Sequence, residues 1–228
     1  MRTLTICLAL LAALLVPQNH THAQELRKLP LVDEAAADAS WQSFKKRLLV
    51  AIEKRDKAFL LSILDRNVRN QDSRTRGIPT FRKQWELDTP DSPLWSELAT
   101  ALQLGGAYLT RDKRPKEFCA PYLLAKWPFD LEPTDYGVIV AREALVQAEP
   151  TTSSASLGTL SYDIVRVTDW EVDDKAAGTK QKWVRIRLGA RDGFVPEELI
   201  RSPIEHAACF VRGPNGWRMT AFAPAGGE

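Results

Sequence analysis

The sequence predicts an α+β protein: an N-terminal helical unit, a small antiparallel β-barrel and a C-terminal β-hairpin. Three observations predict it. Apolar residues recur at three- and four-residue steps over residues 40–106, the period of amphipathic helices. Short alternating apolar stretches divided by Gly- and Asp-bearing turns fill residues 137–200, the pattern of a small closed sheet. Near the end, Pro214-Asn215-Gly216 separates Cys209-Phe210-Val211 from Trp217–Phe222, which is hairpin chemistry.

The first residues set the compartment. Arg2 precedes an apolar run from Leu4 to Val16, too short to span a bilayer but of signal-peptide length. Thr21-His22-Ala23 supplies the small-x-small cleavage pattern, so residues 1–23 are expected to be a signal peptide and the mature chain to start at Gln24. Cys7 lies before the apolar core, not at its end, which argues against lipid attachment. No later stretch is long and apolar enough to cross a membrane. The expected location is periplasmic or secreted.

Residues 24–39 read as a polar, flexible lead-in. Ser40 is the expected cap of a first helix whose stripe is Trp41, Phe44, Leu48 and Ile52. Lys45, Lys46 and Arg47 lie largely off that stripe, as a solvated face. Asp56 caps a second helix carrying Phe59, Leu60, Ile63 and Leu64, and residues 67–76 read as a loop. Pro79 suits the first turn of a third helix. Ser92-Pro93 opens a fourth, which Gly105-Gly106 stops with a left-handed cap. Four prolines mark residues 107–136 as an irregular linker, and residues 201–228 form the terminal hairpin. Its apolar face, Phe210, Trp217, Met219 and Phe222, needs cover that the helical unit can offer, which would insert the barrel between two parts of one domain.

Composition excludes several functions. The chain holds 31 Lys+Arg and 29 Asp+Glu, and Arg2 is the only charged residue before Gln24. The mature charge is therefore near balance, and no global field draws the protein to nucleic acid. His20 and His22 precede the cleavage point, leaving His206 as the one mature histidine, so a zinc site of several imidazoles is impossible. Glu171, Asp173 and Asp174 cluster at a turn without the spacing of a calcium loop, and Asp88, Asp91, Glu97 and Asp130 read as ordinary solvated acids. No metal and no cofactor is expected. Arg111, Lys113, Arg114 and Lys116 form a basic run that could meet an anionic surface, but interleaved Asp112 and Glu117 favour a solvated loop. Cys119 and Cys209 admit three readings: a disulfide, two buried thiols, or a reactive thiol. A thiol hydrolase would have to pair Cys119 with His206.

Residues 137–200 resemble a bacterial SH3-like (SH3b) domain. The residues that carry the likeness run in order: Glu149-Pro150 closing a strand, a Ser/Thr-rich loop from Thr151 to Ser156, and Leu157-Gly158-Thr159-Leu160. An alternating strand with Ile164, Val165 and Val167 follows, then Trp183-Val184-Arg185-Ile186 and Asp192-Gly193-Phe194-Val195. The first strand departs from the pattern, with Ala144-Leu145-Val146-Gln147. With its helical lead and terminal hairpin, the whole chain is similar to a group of uncharacterised exported bacterial proteins. The resemblance implies a small barrel that binds cell-wall glycan peptides or envelope proteins without catalysis. Aromatic walls suit such ligands, which makes Tyr136, Tyr162, Trp170, Trp183 and Phe194 the candidate binding residues. Trp183 lies in a regular strand and is the stronger core candidate, whereas Trp170 sits beside a polar turn and is the stronger surface candidate. The competing expectations are the Cys119–His206 hydrolase and a purely structural scaffold.

Overall fold

A computed structural model of the chain describes residues 26–72, 75–109, 116–176 and 178–225. The expected signal peptide and the basic residues Arg111, Lys113 and Arg114 lie outside the described residues. The chain is α+β, with five helices and twelve strands in two sheets among the described residues.

The helical stripes form where the sequence places them, with a change of cap at the first helix and at the fourth, where Pro93 rather than Ser92 holds the cap position. Helix α1 spans Ala39–Glu53 and buries Trp41, Phe44, Leu48 and Ile52. Its N-cap is Asp38, not Ser40. The Asp38 carboxylate accepts from the amides of Ser40 (2.8 Å) and Trp41 (3.2 Å), two donors that a helix start leaves unpaired. Ser40 is thereby freed to accept from the Trp217 indole N–H at 3.1 Å. Helix α2, Lys57–Ile63, is capped by Asp56, which accepts from the Phe59 amide at 2.9 Å. Helix α3, Ile78–Gln84, carries Pro79 in its first turn, and α4 spans Leu94–Gln103. Gly105 follows α4 at φ +68°, the left-handed stop that a Cβ would penalise.

The first sheet draws on segments that look irregular in sequence. Strand β1 (Leu64–Arg69) lies partly where a loop is expected, and β2 (Ala107–Leu109) and β3 (Glu117–Ala120) lie within the expected linker. Strands β11 (His206–Gly213) and β12 (Gly216–Pro224) make the terminal hairpin. The order is β1-β12-β11-β3-β2, with β1 parallel to β12 and the other neighbours antiparallel. The helices cover one face. Trp41 is the hub of that layer: its ring lies 4.5 Å from Phe118, 5.1 Å from Phe210 and 5.0 Å from Trp217, all edge-on. Trp85 stacks on Phe222 at 4.4 Å. Met219 and Val68 close the same core, both at 0% exposure. In β3, successive side chains point to opposite faces, so Phe118 enters this core while Cys119 meets Cys209 on the other side.

The second sheet contains β4 (Tyr136–Ile139), β5 (Ala144–Gln147), β6 (Ser156–Leu160), β7 (Ile164–Asp173), β8 (Lys182–Leu188), β9 (Arg191–Pro196) and β10 (Ile200–Arg201). Its order is β10-β4-β7-β8-β9-β5-β6, antiparallel throughout. The sheet is not a closed barrel. Among the described residues no ladder joins β6 to β10, so both remain edges. The ends nevertheless share one interior. Ile139 and Ile200 from one side, Ala144, Val146 and Leu160 from the other, and Val165, Val184, Ile186 and Val195 between them form a single cluster. The apolar alternation that suggests closure therefore curls the sheet around that cluster without sealing the seam.

The lead-in is a strap, contrary to the flexible segment expected over residues 24–39. The Leu29 amide donates to Tyr162 O and the Ile164 amide to Arg27 O, each at 2.8 Å, while the Glu34 amide donates to Gly106 O at 2.9 Å. Lys28 Nζ meets the buried Asp163 at 2.7 Å. Leu29 and Val32 pack with Tyr122, Leu123, Val138 and Ile164 on the outer face of the second sheet. The apolar spacing of the strap, with polar residues between, gives it one side to bury. This layer also explains the short helix α5 (Leu123–Lys126), whose aromatic neighbours cover the sheet.

Candidate binding cleft

The far end of the second sheet faces helix α4 and the start of β11 across a cleft of about 870 Å³. Irregularity in β7 builds one wall. The β7–β8 register shifts between Val167 and Asp169 and again between Asp169 and Val172, and Glu171 adopts φ +56°. Such bulges re-aim side chains, and here Trp170 and Glu171 line the cleft. Lys180, Gln181 and Lys182 extend the same wall. Gln181 is fixed by donating to Glu198 at 2.7 Å, and Lys182 meets Asp173 at 2.5 Å.

The opposite wall is held by backbone and aromatic contacts. His206 opens β11, its ring edge-on to buried Trp85 at 4.9 Å. Its Nδ1 lies 3.6 Å from the Glu97 carboxylate of α4. Glu205 is held by the Ser202 amide at 2.9 Å and stands 3.7 Å from Arg201. Partial burial pushes the Glu205 carboxyl above the usual glutamate range; the Ser202 amide and Arg201 pull it down, and the charges of Glu97 and Glu197 add to the rise. The cleft thus offers one aromatic face and charges of both signs.

The sequence candidates scatter over the second sheet. Trp170 alone among the five aromatics lines this cleft. Tyr136 lines a second cleft on the sheet's outer face. Trp183 is 1% exposed, its indole N–H donating to Asp174 at 2.8 Å, so it offers no surface to a ligand. In β8 it is out of step with the core residues Val184 and Ile186, so its ring is buried against the opposite face of the strand. Phe194 is half-buried beneath the Arg185 guanidinium, 5.4 Å from its ring centre. Tyr162 occupies the β6–β7 turn at φ +58°. The five therefore do not form one platform.

Cys119 and Cys209 are joined, with S–S 2.02 Å, directly across the β3–β11 ladder. Neither sulfur is a free thiol in this state, and both are buried. Glu117 is the third member of the one potential metal-ligand group among the described residues. With both sulfurs bridged, only its carboxylate is left, and that binds Arg69 at 2.8 Å and the Thr220 hydroxyl. His206 finds Glu97, not a thiol, as its neighbour. Glu97 reads in sequence as a solvated acid, since nothing local announces a partner so distant along the chain.

No protein-family profile, curated protein or solved structure matches this chain.

Proposed function

We propose that this protein is an exported, non-catalytic binding module whose second sheet is an SH3-like variant open at one seam. Its ligand is an extended polar one, a cell-wall glycan peptide or a peptide segment of an envelope protein. The observation that carries the reading is Trp170, placed by two strand irregularities in a cleft lined by both acidic and basic groups. An aromatic face binds a sugar ring or a peptide backbone with little loss of rotamer freedom. Charges of both signs match a ligand that carries amines and carboxylates together, as peptides do. The order of motifs over residues 137–200 and the single curled core support the SH3-like assignment.

Co-sedimentation of the purified mature protein with peptidoglycan tests this. Retention is expected for the wild type, and Trp170→Ala should weaken it by about tenfold or more, the usual effect of removing an aromatic anchor. Absence of wild-type retention above background defeats the cell-wall reading.

A further inference from the structure

A second cleft, of about 720 Å³, opens on the outer face of the second sheet, and its walls are arginine-rich. It is separate from the Trp170 cleft, and arginines outnumber acids in its lining, four to one. Strand register builds it. Tyr136, Arg166, Arg187 and Asp192 stand directly opposite one another across β4, β7, β8 and β9. Ile164, two residues before Arg166, shares its face, because alternate residues of a strand point the same way. Tyr136, Ile164 and Leu131 form an apolar floor beside Leu188.

Two arginines placed side by side across a ladder repel, and such pairs weaken a sheet. Each has one carboxylate beside it: Arg166 reaches Asp135 at 3.3 Å and Arg187 reaches Asp192 at 2.7 Å. Arg191, on the same rim, is exposed and has no ion-pair partner among the described residues. On the facing wall Arg27 grips Asp130 with two contacts of 2.8 Å. Next to Asp130 in the chain, Phe129 is fully exposed, at 100%. An arginine pair in register, an arginine with no ion pair among the described residues and, next in the chain to Asp130, an uncovered aromatic fit one occupant: one that supplies carboxylates and an apolar surface together.

We propose that this cleft docks an acidic, apolar-bearing peptide segment of a partner protein. Guanidinium forks bind carboxylates two-pronged, so Arg166, Arg187 and Arg191 set the charge preference. The apolar floor takes a side chain between the acids, and Phe129 packs on the partner outside the cleft. A concave site favours a peptide over an anionic bilayer: Asp130, Asp135 and Asp192 interleave the arginines, and a flat anionic surface would meet both signs at once.

The probe is a fluorescein-labelled decapeptide of alternating glutamate and leucine, with a lysine-leucine peptide as control, followed by fluorescence anisotropy on the mature protein. The glutamate peptide is expected to bind, to weaken as salt is raised, and to bind about tenfold more weakly to Arg191→Gln and to Arg166→Gln/Arg187→Gln. Arg191→Gln guards against a folding artefact, because it removes no ion pair seen among the described residues. Trp170→Ala should leave decapeptide binding intact, which separates this site from the cell-wall reading. Failure of the glutamate peptide to bind, equal binding of the lysine peptide, or indifference to all three arginine substitutions overturns the proposal. So does arginine-dependent binding to vesicles containing phosphatidylglycerol when the peptide does not bind.

Discussion

Replacing both Cys119 and Cys209 with alanine should cost about 4–5 kcal/mol of stability. The bridge joins residues 90 apart in sequence, and closing a loop removes conformational freedom from the unfolded chain in proportion to the logarithm of its length. For a loop of this size the chain-entropy relation gives about 4.6 kcal/mol at 25 °C. Alanine is the informative substitution. Both positions are nearly inaccessible, at 0% and 2% exposure, so a serine hydroxyl there would add its own burial penalty of about 1–3 kcal/mol. In a domain of this size each kcal/mol moves the melting temperature by about 2–4 °C, so the double variant should melt about 9–18 °C lower. Urea unfolding followed by circular dichroism measures the loss, and thiol titration of the denatured, unreduced wild type should find no free sulfhydryl in the mature chain. A loss below about 1 kcal/mol with an unchanged denaturant slope would refute the reasoning, because the bridge would then not restrict the unfolded ensemble.

Two further outcomes are expected. At Gly106 an added methyl would stand 2.3 Å from Phe118 Cζ and 2.8 Å from Cys119 O, so Gly106→Ala should destabilise by about 3 kcal/mol through overpacking; an unmoved urea midpoint would show that β2 can shift aside. The Glu205 carboxyl is raised chiefly by burial, so its protonated form favours the fold. That contribution is complete below the ordinary glutamate value, about 4.3, and is lost as pH climbs through the raised one. Glu205→Gln should therefore gain stability relative to the wild type on going from about pH 4 to pH 7; a constant difference in melting temperature over that range would contradict it.

What could be seen in the sequence was local. Asp56 announces α2, Pro79 the first turn of α3, Gly105 the end of α4, and the Pro214-Asn215 turn the hairpin, because each acts within a few residues of itself. The cap of α1 was a contest between two residues of similar chemistry, and Asp38 wins by reaching two amides at once. Strand β1 was hidden for another reason. Its partner is β12, Leu64 opposite Met219, and a polar stretch such as Asn67–Arg69 carries no period of its own. The same holds for β3, whose four residues sit between prolines and depend on β11 for their pairing. Trp170, expected at the surface beside its polar turn, is partly buried, lining the cleft while packing against the core of the second sheet, a contact that only the irregular β7–β8 register creates. The approach of Glu97 to His206 was not legible, since it exists only once α4 lies against β11.

The chain leaves the first sheet at β3, builds the whole second sheet, and comes back at β11, the very next strand. Departure and return are fastened together where Cys119 and Cys209 face each other, their Cα atoms 4.1 Å apart. A force applied to the second sheet therefore reaches the first through two roots tied by a covalent knot. The force cannot peel those neighbours apart one rung at a time, as it could if hydrogen bonds alone held them. In this layout the second sheet can be pulled on while the strand pair that roots it stays joined.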